Sequence, residues 1–265
     1  MEEFNEAHAL TEEKALPNRV PSLWPVTFGM VGIFVLPSLA ALVITVLVAK
    51  FDHNLLAGTG KIRSQEISGI IATNIVSQVV EYIFMWAGLL LCALFFANNY
   101  SRDWRSDLGW KMEWRMDLPL AIAVVLITWF AVGIYAIGFQ KLTHTSVQNL
   151  GNSSAVLHPH SHWRWVFAII AICCAPVVEE IFFRGLTLYT LAARYGSVVG
   201  VIVSAILFAV VHVQTTLKSS EVTCGLILIV GLIFGFVRVK TGRLGVTILA
   251  HMLFNGAATL VALRS

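Results

Sequence analysis

The sequence predicts an all-α fold: a polytopic integral membrane bundle of about seven transmembrane helices, or eight if the fourth segment is broken. Three observations lead there. Of 265 residues, 57% are hydrophobic and only 12% are charged, about half the charged fraction usual in a soluble domain. Mean hydropathy is +0.79. The apolar residues also gather into runs of about 20, the length a helix needs to cross about 30 Å of hydrocarbon.

The head, residues 1–23, is polar and holds five glutamates and two basic residues. It is expected to be a cytoplasmic surface segment without a site. Residues 24–265 are expected to form one transmembrane helical domain. No basic segment precedes the first apolar run, which is too long for a signal-peptide core and is taken as an uncleaved span. It covers about 24–48, with Pro37 as a kink point. The second run, about 67–97, holds Asn74, Gln78 and Glu81 at spacings of four and three, hence on one face. Glu81 reads equally as a hydrogen-bonded packing residue and as a substrate-binding one.

The connection from Asn98 to Asp117 is basic and rich in tryptophan, with Arg102, Trp104, Arg105, Trp110, Lys111, Trp114 and Arg115. That mixture fits a segment lying at headgroup level rather than a nucleic-acid surface. A third span covers about 118–139. The next loop contains His144, His158, His160 and His162, read as solvated loop histidines. The fourth segment, about 163–195, is taken as one tilted helix that can kink at Pro176. The fifth covers about 198–214 and the seventh about 244–263. In the sixth, 223–239, Gly225, Gly231 and Gly235 allow close helix contact. Seven crossings place ten Lys and Arg on the N-terminal side and seven on the other, which favours the N-terminal side as cytoplasmic; the cell membrane is the expected location. Cys92, Cys173, Cys174 and Cys224 match no zinc or disulfide spacing and read as small core residues.

Ionisable groups inside an apolar segment are expensive and point to a functional site. The fourth segment has three in six residues: Glu179, Glu180 and Arg184. Glu180 and Arg184 are four apart with the acid first, the better order for a helical ion pair. Glu179 lies about 100° around the helix and stays free. At about 1.5 Å per residue, Glu179 is roughly 23 Å from the N-terminal side along its helix, His212 roughly 21 Å, His251 roughly 9 Å and Asn255 roughly 15 Å. Tilt lowers the first value most, so the four can share one layer within residues 163–263. Phe208 and His212 are four apart, as are His251 and Asn255.

A carboxylate and an imidazole together can position and deprotonate water. N–H donors from His251 and Asn255 can stabilise an oxyanion. The constellation reads as water attack on an amide, with no GxSxG nucleophile in the sequence. A proton-coupled carrier or ion-binding bundle would also use buried acids and histidines.

The motifs Glu179-Glu180-Ile-Phe-Phe-Arg184, Phe208-Ala-Val-Val-His212 and His251-Met-Leu-Phe-Asn255 resemble EExxxR, FxxxH and HxxxN. In this order they resemble the CAAX protease and bacteriocin-processing (Abi) family of intramembrane endopeptidases, to which the type II CAAX prenyl endopeptidases belong. The resemblance covers about Trp163 to Asn255. It implies a glutamate-dependent peptidase without bound metal or other cofactor, acting on a membrane-associated peptide or protein. Glu179 would activate water with His212, His251 and Asn255 would form the oxyanion hole, and Glu180, Arg184 and Phe208 would support them. Some relatives continue into a further helix that this chain lacks, which bears on the shape of the substrate entrance. Two other readings stand beside it. One is a zinc peptidase with Glu179, His212 and His251 as ligands, although HExxH is missing. The other is a non-catalytic immunity or scaffold protein of the same fold.

Overall fold

A computed structural model describes residues 21–51, 75–101, 103–144, 164–212 and 220–263. Asn74, the side chains of Gln78 and Glu81, residues 1–20 of the polar head, Arg102, His158, His160 and His162 lie outside that description. Among the described residues the ordered elements are all helical: α1 (Trp24–Phe51), α2 (Ile75–Asn99), α3 (Trp104–Leu108), α4 (Trp114–Thr143), α5 (residues 164–195), α6 (Ser197–Val211), α7 (Ser220–Thr241) and α8 (Leu244–Ala262). The protein is an all-α, multi-pass membrane bundle. Among the described residues five stretches are long and apolar enough to span: Tyr82–Asn99, Trp114–Thr143, Trp165–Tyr195, Val222–Thr241 and Leu244–Val261. Two shorter apolar stretches, Trp24–Leu39 and Ser197–Val211, accompany them. Helix α6 has 15 residues, or about 22 Å, and so ends inside a hydrocarbon layer about 30 Å thick. The expected fifth span reached Gln214; the helix instead closes at Val211 with His212 as its C-cap.

The surface is apolar where lipid would meet it: Phe28, Leu91, Leu126, Phe130, Val198 and Phe236 are all exposed. The interior is aromatic and aliphatic, built on Leu89, Phe96, Val124, Phe182, Phe183, Leu186, Phe208, Val230, Phe234 and Val246. Helix α1 packs on α2, α6 lies between α7 and the end of α5, and α8 packs against α4 and the first half of α5. Glycine sets the α6–α7 distance. A Cβ on Gly231 would stand 2.9 Å from the Ala205 Cβ and 3.0 Å from its Cα, so only hydrogen fits there. Cys173 and Cys174 depart from the core placement expected of them. Both are exposed, because their part of α5 lies at the bundle surface.

Helix α5 runs unbroken but not uniform. A π turn at Ile170–Cys174 precedes Pro176, and a second covers Ile181–Thr187. Proline at 176 offers no N–H and its ring crowds the carbonyl four residues back. Widening the helix just before it absorbs that crowding without a break. The Ala175 N–H accordingly reaches the carbonyl of Ile170, five residues back.

The tryptophan-rich connection is partly helical. Helix α3 is capped by Asp103, whose carboxylate accepts from the Ser106 N–H, and ends at Gly109 with φ +71°. Trp104, Trp110 and Trp114 are exposed, while Leu108 is buried in the core. Beyond Gly109 the chain caps α8. The Leu244 N–H donates to the Gly109 carbonyl (2.8 Å) and the Gly245 N–H to that of Lys111 (3.1 Å). These are two of the four N–H groups that a helix start leaves unpaired. Arg243 pairs with the buried Asp117 at 2.8 Å. The height of α8, and of every side chain it carries inward, is therefore set from the membrane surface.

Candidate active site

Glu180 and Arg184 face the interior from α5 and are sealed there, with side chains 0% and 1% exposed. They pair at 2.9 Å across one helical turn. The guanidinium also lies over the Phe208 ring at 4.1 Å and near the Phe234 ring at 5.6 Å, so aromatic faces from α6 and α7 supply attraction that water would otherwise give. A charged pair in such a place is stable only when each partner is held.

Glu179, one residue earlier, points to a different side of α5. Its Oε2 lies 3.8 Å from His212 Nε2 and 3.9 Å from His251 Nε2. Both gaps exceed a direct hydrogen bond. The Glu179 and His212 side chains keep 13% and 31% of their surface, against 5% for His251. The cluster thus opens towards the end of α6 and is closed on the α8 side.

Backbone and carboxylate acceptors orient both imidazoles. His212 Nδ1 is 2.7 Å from the Phe208 carbonyl oxygen. A carbonyl only accepts, so Nδ1 bears the proton. His251 Nδ1 is 3.0 Å from Glu180 Oε1, and a carboxylate beside Arg184 likewise accepts. Phe208 thus serves twice: its carbonyl fixes His212, and its ring meets both imidazoles, with centroids 4.6 Å from His212 and 5.9 Å from His251.

Asn255 sits one turn beyond His251 and donates from Nδ2 to the carbonyl of Ala171 at 2.9 Å. The acceptor is free for a local reason. In α register Ala171 would receive the N–H of residue 175, but that donor is taken by Ile170. In π register it would receive the N–H of residue 176, which is proline. The proline and the widened turn together present one carbonyl to the HxxxN asparagine.

Glu179, His212 and His251 are therefore brought together, Glu180 and Arg184 are paired beneath them, and Asn255 is fastened to the first π turn. Four features were not foreseen from the sequence: the Glu180–His251 bond, the Ala171 carbonyl, the Phe208 carbonyl and the ring of Phe234. Pro176 was the available signal for the second. Phe234 sits beside Gly235 in the close-packing helix, and nothing in its own spacing marked it. Among the described residues no group of three or more His, Cys, Asp or Glu stands in metal-ligating geometry. His144 caps the end of α4, with φ 55°, and is exposed.

Residues 161–257 match the family model described as Type II CAAX prenyl endopeptidase Rce1-like. The matched segment contains all three motifs and the whole cluster. No curated protein and no solved structure matches the chain. The match supports, at the level of the family, a CAAX-type membrane protease, a class of peptide hydrolases.

Proposed function

We propose that this Rce1-like chain is an intramembrane endopeptidase that hydrolyses a peptide bond of a membrane-associated protein or peptide with activated water. One observation carries the reading: a single carboxylate oxygen, Glu179 Oε2, stands at nearly equal distance from two imidazole Nε2 atoms, 3.8 and 3.9 Å away. Gaps of this size are ones a water molecule closes. Glu179 would take a proton from that water as it attacks the carbonyl carbon, with His212 as the second acceptor that orients it. His251 and Asn255 would supply donors to the oxygen that becomes negative. One N–H of the Asn255 amide is used by Ala171, and the other remains for this task.

The zinc reading makes different demands. Donors about 2.0–2.2 Å from a tetrahedral zinc are about 3.3 Å from one another, closer than the two spacings observed here. The surplus of Lys and Arg on the N-terminal side supports an orientation with that side cytoplasmic.

The test is cleavage of a quenched fluorogenic peptide ending in a farnesylated CAAX sequence, presented in liposomes, alongside the same peptide on a plain lipid anchor. Purified wild type should cleave at least one, and Glu179→Gln neither. Equal activity in the two proteins would end the proposal. Stoichiometric zinc, with activity lost to a chelator and restored by zinc, would move it to the metal mechanism. A cellular phenotype left intact by Glu179→Gln would move it to a scaffold role.

A further inference from the structure

We infer that Glu180 is a positioning residue that keeps His251 doubly protonated, and that the proton on His251 Nε2 is delivered to the departing nitrogen. The inference rests on the peptidase reading above and deepens it. Both imidazoles have Nδ1 committed as a donor, His212 to a carbonyl and His251 to a carboxylate. If both rings were neutral, each Nε2 would be a bare lone pair. Glu179 Oε2 would then face two further acceptors, 3.8 and 3.9 Å away, and neither ring would offer an N–H to an oxyanion or a leaving amine. One more proton resolves this.

Its place is fixed by charge. Glu179 and Glu180 bring two negative charges to the cluster and Arg184 brings one positive. A second positive charge makes the group neutral, the state an apolar layer favours. His251 has a carboxylate at each nitrogen: Glu180 at 3.0 Å on Nδ1 and Glu179 at 3.9 Å on Nε2. His212 has a carboxylate on one side only and is the more exposed ring. The faces packed on His251 are otherwise aromatic, from Phe208 on α6 and Phe234 on α7. On α4, Asp117 is engaged with Arg243 at the helix start. Among the described residues the titratable groups around the ring are therefore Glu179, Glu180, Arg184 and His212.

The step balances. Water adds to the carbonyl carbon and gives one proton to Glu179. The C–N bond then breaks, its electron pair stays on nitrogen, and nitrogen takes the Nε2 proton of His251. Glu179 returns its proton to His251 Nε2, and the products are a carboxylic acid and an amine. Glu180 never touches the substrate; it acts by stabilising the charge on the ring.

The test has a spectroscopic arm and a kinetic arm, both on the full chain in nanodiscs. Histidine-selective nitrogen-15 NMR should show both His251 nitrogens protonated at neutral pH in the wild type and only one in Glu180→Gln. A neutral His251 in the wild type overturns the inference, whatever the activity. The kinetic arm compares the farnesylated CAAX peptide with an aryl ester of the same acyl part, whose leaving group needs no proton. Glu180→Gln should lower amide cleavage at least about 10-fold more than ester cleavage. Equal losses on both probes would show a purely structural role and refute the proposal. If the wild type cleaves neither of these nor the peptide on the plain lipid anchor, the peptidase reading falls and the delivery step with it, while the NMR still decides the protonation. Should Glu180→Gln fail to fold, Glu180→Gln with Arg184→Gln removes the charged pair together, and the wild-type spectrum needs no variant.

Discussion

Replacing Asn255 by alanine removes two things that can be measured apart. The first is structural. The Ala171 carbonyl loses its 2.9 Å donor, and Pro176 prevents the helix from supplying another. An orphaned acceptor costs about 1–3 kcal/mol. Lipid beside this half-buried position cannot replace the donor as water would, which favours the upper end of that range. The second is chemical: the proposed oxyanion donor disappears, worth about 10²-fold or more in turnover. Pro176→Ala separates the two, since it restores an N–H at the position the π register aims at Ala171. Asn255→Ala in the Pro176→Ala background should therefore lose about 1 kcal/mol less stability than in the wild-type background. Turnover should remain about 10²-fold down in both. Stability is read by SDS titration in mixed micelles, followed by tryptophan fluorescence and far-UV circular dichroism. Turnover is read on the fluorogenic peptide. Stability costs that add to within about 0.5 kcal/mol would refute the account of Ala171, and recovery of turnover in the double variant would refute the separate chemical role of Asn255.

The buried pair on α5 gives a second cycle. Glu180→Gln or Arg184→Met alone should each cost about 3–5 kcal/mol, because a charge is left unpartnered, and the double variant should cost about 1–3 kcal/mol less than their sum in the same SDS titration. Gly245→Ala should lose about 1–3 kcal/mol: its Cβ would stand 2.9 Å from Met112 Cα and 3.0 Å from the Lys111 carbonyl, so α8 must move and activity should fall with stability. Glu179→Gln and His212→Ala should each abolish cleavage while keeping the wild-type circular dichroism spectrum. Glu113, outside the spans, is held below the usual carboxylate range by its hydrogen bond from Lys111, by the charge of Lys111 and by that of Arg243. A lowered folded value means that its contribution is complete above the unfolded value of about 4.3 and fades as pH falls through the folded one. Acidification from about pH 4 should therefore loosen the loop that caps α8, seen as a change in Trp104, Trp110 and Trp114 emission that is smaller in Glu113→Gln.

What could be read from the sequence were features set by local spacing. Apolar runs gave the helices, because span length follows from bilayer thickness. Helical periodicity gave the Glu180–Arg184 pair, and Phe208 before His212, because four residues make a turn. What could not be read depended on where a carbonyl goes when a helix changes register. The sequence shows Pro176 and suggests a kink; it does not show that the helix widens at Ile170–Cys174 and gives its spare acceptor to an asparagine 84 positions later. The Glu180–His251 bond was hidden for a related reason. Pairing Glu180 with Arg184 satisfies the helix-level account, and nothing in that account requires the same oxygen to serve a third residue. Yet Glu180 Oε1 meets both, at 2.9 Å from Arg184 and 3.0 Å from His251. A carboxylate oxygen with two partners is better held than one beside a single partner. The arrangement also makes the second acid of EExxxR different in kind from the first. Glu180 is sealed and spends its charge on neighbours, and Glu179 is left partly open between two imidazoles, as the role proposed for it requires.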